Sequence, residues 1–300
     1  MLFALAGERA LIHGARNGPE STYYQSLQHL CGPFAPYLDI ILLVFLCVLS
    51  GVMLAGTGAL ADTLGCPPWA GIIAMALLGL AVIACDMPGI VTVNKIVVPC
   101  LICIAALVAL GALGGESRCF RAVHHAAWLP SALLYASYNT VLSLPVLAAL
   151  GASHPDCRLL RAGSRWGAAG LVLIGGLVLT ALLARPGTLA ETEVPMALVA
   201  SALGRPLGFA YSFVLWAEMF TTLIADVYGA SARLRQLLGG SRTLYALVTM
   251  ALGITLSSLG FARLVRTAYP AFGLVCLIIL LRLIRPPRAV KGPASAICPR

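Results

Sequence analysis

The sequence predicts an all-α polytopic membrane protein. Hydrophobic residues make up 60% of the chain, charged residues only 10%, and the mean hydropathy is +0.94. A soluble domain carries about a quarter charged residues and is far less apolar. The apolar segments are continuous runs rather than short alternating strands, which disfavours a β-barrel. We therefore expect the lipid bilayer to be the main partner of this chain.

The formal charge of +9 does not indicate a nucleic-acid partner. The basic residues lie between the apolar runs, where Lys and Arg set the orientation of membrane helices. We expect no binding to nucleic acid, and the oligomeric state stays open.

The chain opens with a polar amino-terminal segment, residues 1–36. Its first residues, Met1–Gly7, look like the end of a helix, and the mixed polar sequence that follows is expected to be exposed to solvent. At the other end, residues 285–300 are basic and rich in proline, so we expect a disordered tail.

The transmembrane bundle is predicted over residues 37–284, with about eight spans. The predicted spans are 37–61, 69–84, 91–113, 127–150, 167–183, 207–228, 244–259 and 262–284. The second half of the first span is rich in small residues, so it is expected to pack inside the bundle. Residues 190–203 are too short to span and are expected to form an outer helix.

An even number of spans places both termini on one side of the membrane. With these boundaries, most of the Lys and Arg residues fall on that same side. The positive-inside rule then predicts that both termini are cytoplasmic.

The stretch 126–151 has two apolar arms around a polar centre, which includes Tyr135, Ser137, Tyr138 and Asn139. In a spanning helix this centre would lie near the bilayer midplane, where unsatisfied polar groups are costly. One hypothesis is a substrate-binding site formed by these four residues, with the helix unwound there. The alternative is a structural network of hydrogen bonds between helices.

The sixth span carries Glu218, Thr221 and Thr222, with Asp226 one turn further along. A carboxylate at the bilayer centre costs at least about 2.5 kcal/mol, so Glu218 is a candidate proton carrier or cation ligand. The two threonine hydroxyls could bind sodium or simply bond to the preceding turn. The alternative for Glu218 is a structural role, and Asp226 is expected at the membrane interface.

The sequence carries no signature of a soluble catalytic site. It has no phosphate-binding glycine loop, no nucleophile elbow and no zinc-protease helix. We expect no enzyme, no catalytic residues, no cofactor and no metal other than sodium at Thr221 and Thr222.

Five strings, in this order and spacing, make the chain similar to the YkvI-like family of uncharacterised bacterial membrane proteins. They are Val52–Ala59, Val93–Pro99, Leu134–Asn139, Glu193–Met196 and Thr221–Gly229. The similarity runs from about residue 35 to residue 284.

That family resembles the amino acid–polyamine–cation and sodium-symporter superfamily, whose LeuT-type fold has ten core helices in an inverted repeat. The resemblance implies that the spans here are helices three to ten and that 126–151 is the broken helix six. It also implies that Thr221 and Thr222 are the paired hydroxyls that hold sodium. The Gly-rich break of the family's first helix has no match, so helix one and most of helix two are expected to be absent.

We therefore expect an ion-coupled secondary transporter of a small organic solute, such as an amino acid or amine, in a bacterial cytoplasmic membrane. It would couple to sodium or to protons, and it is expected to be inactive if truncated. The alternative is a non-transporting membrane protein, a sensor or assembly partner, in which the polar residues of these two spans have only a structural role. Substrate, coupling ion and direction of transport are left open by the sequence.

Overall fold

The computed structural model describes residues 2–17, 24, 27–28, 31–84, 90–114, 128–153, 156–184 and 192–284. These residues form helices and turns. The helices are α1 (Leu2–Asn17), α2 (Ala35–Thr63), α3 (Pro68–Ala84), α4 (Ile90–Leu113), α5 (Trp128–Ser153), α6 (Cys157–Ala184), α7 (Pro195–Leu203), α8 (Arg205–Leu238), α9 (Arg242–Ser257) and α10 (Phe261–Ile284).

Five helical segments in the described part of the chain are long and apolar enough to cross a membrane. They are Gly32–Thr63, Ile96–Leu113, Cys157–Ala184, Arg205–Leu238 and Phe261–Ile284. Two shorter apolar helices accompany them, over Pro68–Ile83 and Arg242–Ser257. The all-α polytopic membrane fold predicted from the composition is confirmed.

The chain forms two compact units. Unit 1 consists of Met1–Leu42, His124–Leu173 and Thr267–Arg300, and unit 2 of Leu43–Val123 and Ile174–Arg266.

Unit 2 has an apolar core to which α2, α3, α4, α7, α8, α9 and the end of α6 contribute. Leu54, Met75, Leu223 and Met250 are almost completely buried in it. Helices α2 and α9 approach closely at Gly51. A Cβ built on this glycine would lie only 3.3 Å from a main-chain oxygen of α9. The prediction that the small-residue half of the first span packs inside the bundle is thereby confirmed.

Unit 1 has a smaller core. Ala6 and Ala10 of α1 are fully buried against Leu280 and Leu283 of α10. Helix α1 also packs along α5.

After Met1–Gly7, where an exposed segment is expected, the helix continues to Asn17, and Ala10 and Leu11 of that part are buried. Ala6 and Ala10 are four residues apart and Leu11 adjoins Ala10, so the three form a buried apolar side of the helix, whereas Glu8 and Arg9 are only partly buried. The mixed composition of the segment concealed this amphipathic pattern.

Helix α6 begins ten residues before the predicted span 167–183. The Asp156 carboxylate accepts hydrogen bonds from the main-chain N–H groups of Arg158 (2.9 Å) and Leu159 (3.4 Å), so it caps the helix at Cys157. Arg158, Arg161 and Arg165, which precede the predicted span, therefore lie in the first turns of α6.

Helix α8 continues ten residues beyond the predicted span 207–228. It ends at Leu238, where Gly239 adopts a φ of +72° and donates its N–H to the Arg235 carbonyl. No glycine or proline stops the helix between Gly229 and this cap, so the polar composition after Tyr228 did not mark an end.

The outer helix predicted over 190–203 corresponds to α7, which begins at Pro195. Residues 190–191 and the predicted tail, 285–300, lie outside the described residues.

Candidate functional site

Helix α5 is continuous through the polar centre of the stretch 126–151. The break implied by the LeuT-type resemblance was therefore wrong for this helix. Its main-chain groups are used in the helix, so they are not released as ligands for a solute or an ion.

The polar side chains of α5 bond back to their own helix. The Ser137 hydroxyl donates to the Leu133 carbonyl at 2.7 Å, and the Asn139 amide donates to the Tyr135 carbonyl at 2.8 Å. This pattern removes the cost of burying a donor without requiring any ligand. It explains how Ser137 can be completely buried.

Tyr138 is buried and belongs to an aromatic group within unit 1. Its ring centroid lies 4.8 Å from that of Tyr269 on α10 and 5.4 Å from that of Tyr135. Tyr135 is 58% exposed, so only one of the two predicted tyrosines is enclosed by the described residues. Tyr269 was missed from the sequence, because it stands near the start of the last predicted span and its contact with α5 depends on packing between distant segments.

A cavity of about 480 Å³ opens one turn further along α5, within unit 1. It is lined by α1, α5 and α6: Gly7, Leu11, Thr140, Ser143, Leu147, Leu159, Leu160, Gly163, Ser164, Gly167, Ala168 and Leu171. This volume is in the usual range for a small-molecule site. None of these lining residues is one of the predicted four.

The polar atoms that line the cavity are hydroxyls. Thr140 donates to the Ala136 carbonyl at 2.8 Å and Ser143 to the Thr140 carbonyl at 2.9 Å. A hydroxyl that donates in this way still has lone pairs that can accept a hydrogen bond. The lining residues carry no charge, so the cavity suits a small solute with an apolar body and a donor group.

Two features of the sequence could have indicated this cavity. Thr140 directly follows the predicted residues in the same polar run. Gly163 and Gly167 are spaced by one helical turn, and a Cβ built on either would meet nothing within 4 Å. Small residues with open space beside them leave room in a helix interface.

The second candidate region lies on α8, within unit 2. Glu218 is half-buried, and its Oε2 atom is buried without a hydrogen-bond partner among the described residues. Both threonine hydroxyls donate to the Glu218 carbonyl, Thr221 at 3.1 Å and Thr222 at 2.9 Å. Glu218 and Thr222 thus share one face, as their spacing predicted.

Asp226, which is expected at the membrane interface, is only 6% exposed and is therefore enclosed by protein. The side chains near Asp226 come from α2 and α9, and the sequence of the sixth span alone does not show that these helices pack against it.

The chain is similar to two proteins of Bacillus subtilis (strain 168). It is 28% identical over 296 residues to the uncharacterized membrane protein YkvI, an alignment that covers 94% of this chain and 83% of YkvI. It is 25% identical over 283 residues to the uncharacterized protein YyaD, covering 89% of this chain and 80% of YyaD. No protein-family model matches the chain. Because the similarity extends over nearly the whole chain, the resemblance to the YkvI-like membrane proteins is confirmed.

Proposed function

We propose that this protein is an ion-coupled secondary transporter of a small organic solute, such as an amino acid or amine. The observation that carries the proposal is the Glu218 carboxylate, which has a buried oxygen without a partner among the described residues of the apolar helix α8. Such a group in a membrane span is costly to maintain, so a functional role is its default interpretation.

Glu218 and the threonines beside it suit two coupling ions. A carboxyl group can carry a proton. Alternatively, the carboxylate and the lone pairs of the Thr221 and Thr222 hydroxyls could contribute oxygen ligands to sodium. The two threonines already donate to a carbonyl, so their remaining capacity is to accept, which is what a cation requires.

We place the solute in the cavity of unit 1, where Thr140 and Ser143 offer hydrogen-bond acceptors. The four residues Tyr135, Ser137, Tyr138 and Asn139 stay a prediction from the sequence. The bonds of Ser137 and Asn139 to their own helix give these two residues a structural role that needs no solute.

The same bonds favour a second candidate function. If the polar groups of α5 act only within their own helix, the protein is a non-transporting membrane protein, such as a sensor or an assembly partner. In that case Glu218 would hold helices together rather than bind an ion.

Uptake by the full-length protein in proteoliposomes separates the two functions. Radiolabelled amino acids and amines are offered under an imposed sodium gradient, an imposed pH gradient, or neither. Transport predicts saturable uptake of at least one solute that depends on one gradient. No gradient-dependent uptake of any solute in a broad panel, from protein shown to be folded, would favour the non-transporting alternative.

We also propose that the protein lies in a bacterial cytoplasmic membrane with both termini in the cytoplasm. The distribution of Lys and Arg along the sequence supports this orientation. Reporter fusions at each terminus test it. Activity of a periplasmic reporter at either end would contradict the proposed orientation.

A further inference from the structure

A second acidic residue of α8, Asp226, is enclosed more completely than Glu218. Its side chain is 6% exposed, and its Oδ2 atom is buried without a hydrogen-bond partner among the described residues. Asp226 lies two turns after Glu218, which corresponds to about 12 Å along the helix axis. It is therefore a separate position from the one used in the proposed function.

The polar neighbourhood of Asp226 comes from α2 and α9. The Cys47 thiol of α2 is close enough to Asp226 for an electrostatic interaction, and it lies beside the Thr249 hydroxyl of α9. Thr249 is fully buried, and its oxygen makes no hydrogen bond of good geometry with the described residues. The residues that flank Asp226 along α8, Leu223 and Val227, are fully buried in the apolar core of unit 2.

No described cation neutralises this carboxyl group. Helices α3 and α7, which pack against α8, contain no titratable residue. On α9, the Arg242 guanidinium lies 3.5 Å from the centroid of the Tyr228 ring, and Tyr245 is the other titratable group of that helix.

On α8 itself, Arg233 follows Asp226 by seven residues and donates to the Gln236 side-chain oxygen at 2.8 Å, and Arg235 is exposed. On α2, Cys47 is accompanied in unit 2 by the exposed Asp62, whereas Tyr37 and the buried Asp39 of that helix belong to unit 1. On α4, Cys100 and Cys103 are exposed, and the side chain of Lys95 lies outside the described part. Asp226 forms no ion pair with any described residue.

An ionised carboxylate in such a place would be costly, because little of the side chain is exposed and no described cation pairs with its charge. Two ways of removing the cost remain, a bound cation or a bound proton. Hard cations take about six oxygen ligands, whereas the polar side chains identified near Asp226 are two hydroxyls, Thr249 and, one turn earlier on α8, Thr222, and the Cys47 thiol. A thiol is a poor ligand for a hard cation, so the surroundings favour the proton.

We infer that Asp226 is a proton-binding site of unit 2, a neutral carboxyl group in this structure that is distinct from Glu218. Binding joins one proton from water to a carboxylate oxygen and breaks no covalent bond of the protein. The inference holds whether or not the protein transports a solute, because it depends only on the surroundings of Asp226.

Infrared spectroscopy of the purified full-length protein at neutral pH tests this inference directly. The C=O stretch of a neutral carboxyl group is well separated from the bands of a carboxylate. Protein labelled with ¹³C at the aspartate carboxyl carbons identifies bands from aspartate without any mutation. We expect one neutral aspartate band that shifts with the label, that disappears in Asp226→Asn, and that is kept in Asp62→Asn, a matched variant at an exposed position.

Three outcomes would overturn the inference. One is the absence of any neutral aspartate band in the labelled wild-type protein, which does not depend on the folding of a variant. Another is retention of the band in Asp226→Asn. The third is a band that appears only when sodium is replaced by choline, which would show that a cation occupies the site. Since the readout does not involve uptake, failure here is distinguishable from failure of the proposed transport.

Discussion

Gly51 of α2 and Leu256 of α9 are in such close contact that a Cβ built on Gly51 would lie 2.7 Å from the Leu256 Cβ. The Gly253 carbonyl oxygen would lie 3.3 Å from the Cβ built on Gly51. Neither a Cβ nor a main-chain oxygen can move aside without a shift of the helix. The contact therefore fixes the separation of α2 and α9, the two helices that provide the polar neighbours of Asp226.

Gly51→Ala is expected to destabilise unit 2, because the added methyl group would force these helices apart. Overpacking of this kind costs about 1 to 3 kcal/mol. The matched variant is Gly175→Ala on α6, where nothing lies within 4 Å of the added Cβ. There the substitution is expected to be neutral or to stabilise the helix by about 1 kcal/mol. Unfolding in detergent, followed by circular dichroism, compares the two, and equal stabilities would contradict the packing described.

The Tyr138 and Tyr269 rings should be energetically coupled. Their centroids are 4.8 Å apart, and aromatic pairs at such distances contribute about 0.5 to 1.5 kcal/mol beyond the area that they bury. A double-mutant cycle with Tyr138→Leu and Tyr269→Leu should return a coupling of that size. Tyr135→Leu combined with Tyr269→Leu provides the control, with a coupling near zero. Additive losses in the first cycle would show that the pair makes no specific contribution.

Variants of two serines of α5 distinguish between the cavity and the site predicted from the sequence as the place where the solute binds. Ser143 lines the cavity, whereas Ser137 is fully buried and bonded to the Leu133 carbonyl. If the solute occupies the cavity, Ser143→Ala should weaken its binding about tenfold, which corresponds to the loss of about one hydrogen bond. Ser137→Ala should leave the affinity within about twofold of wild type. The KM for uptake of the identified solute measures both effects. A larger rise in KM for Ser137→Ala than for Ser143→Ala would indicate that the solute binds at Tyr135–Asn139 instead.

The coupling ion is tested by variants of α8. Glu218→Gln keeps the size of the side chain but removes its charge and its capacity to carry a proton, so uptake driven by a pH gradient should fall at least about tenfold. Asp62→Asn, which removes an exposed carboxylate of unit 2, should leave uptake unchanged. If a pH gradient drives uptake by Glu218→Gln as well as by the wild type, Glu218 does not carry the coupled proton.

The sodium role has its own pair of variants. Thr222→Ala should raise the sodium concentration that gives half-maximal uptake several-fold, because one oxygen ligand is lost. Thr180→Ala on α6 is the control, since that hydroxyl is exposed and bonds to the Gly176 carbonyl at 3.0 Å. An unchanged sodium dependence in Thr222→Ala would remove Thr222 from the proposed ion site.

The helices were predictable because long apolar runs determine them, whereas their ends depend on single groups. The cap at Asp156 is one carboxylate oxygen, and the end of α8 is one glycine with a positive φ. The burial of Ala6 and Ala10 was missed because average polarity says little about a narrow stripe. Composition thus predicts which segments are helical better than it predicts where each helix starts and stops.

The candidate sites were only partly predictable. The polar residues of α5 and α8 stand out in apolar surroundings, so their positions were found directly. Whether Ser137 bonds to its own helix or to a solute depends on whether the helix unwinds, and a single sequence does not encode that choice in a recognisable signal. The burial of Asp226 depends on α2 and α9, which lie far from it in sequence.

The most direct test of the central claim is concentrative uptake into proteoliposomes. The full-length protein should accumulate a solute above its external concentration when a sodium or pH gradient is imposed. An ionophore that dissipates this gradient should return the internal concentration to the external value. Solute that merely equilibrates at the same rate with and without the gradient would contradict ion-coupled transport.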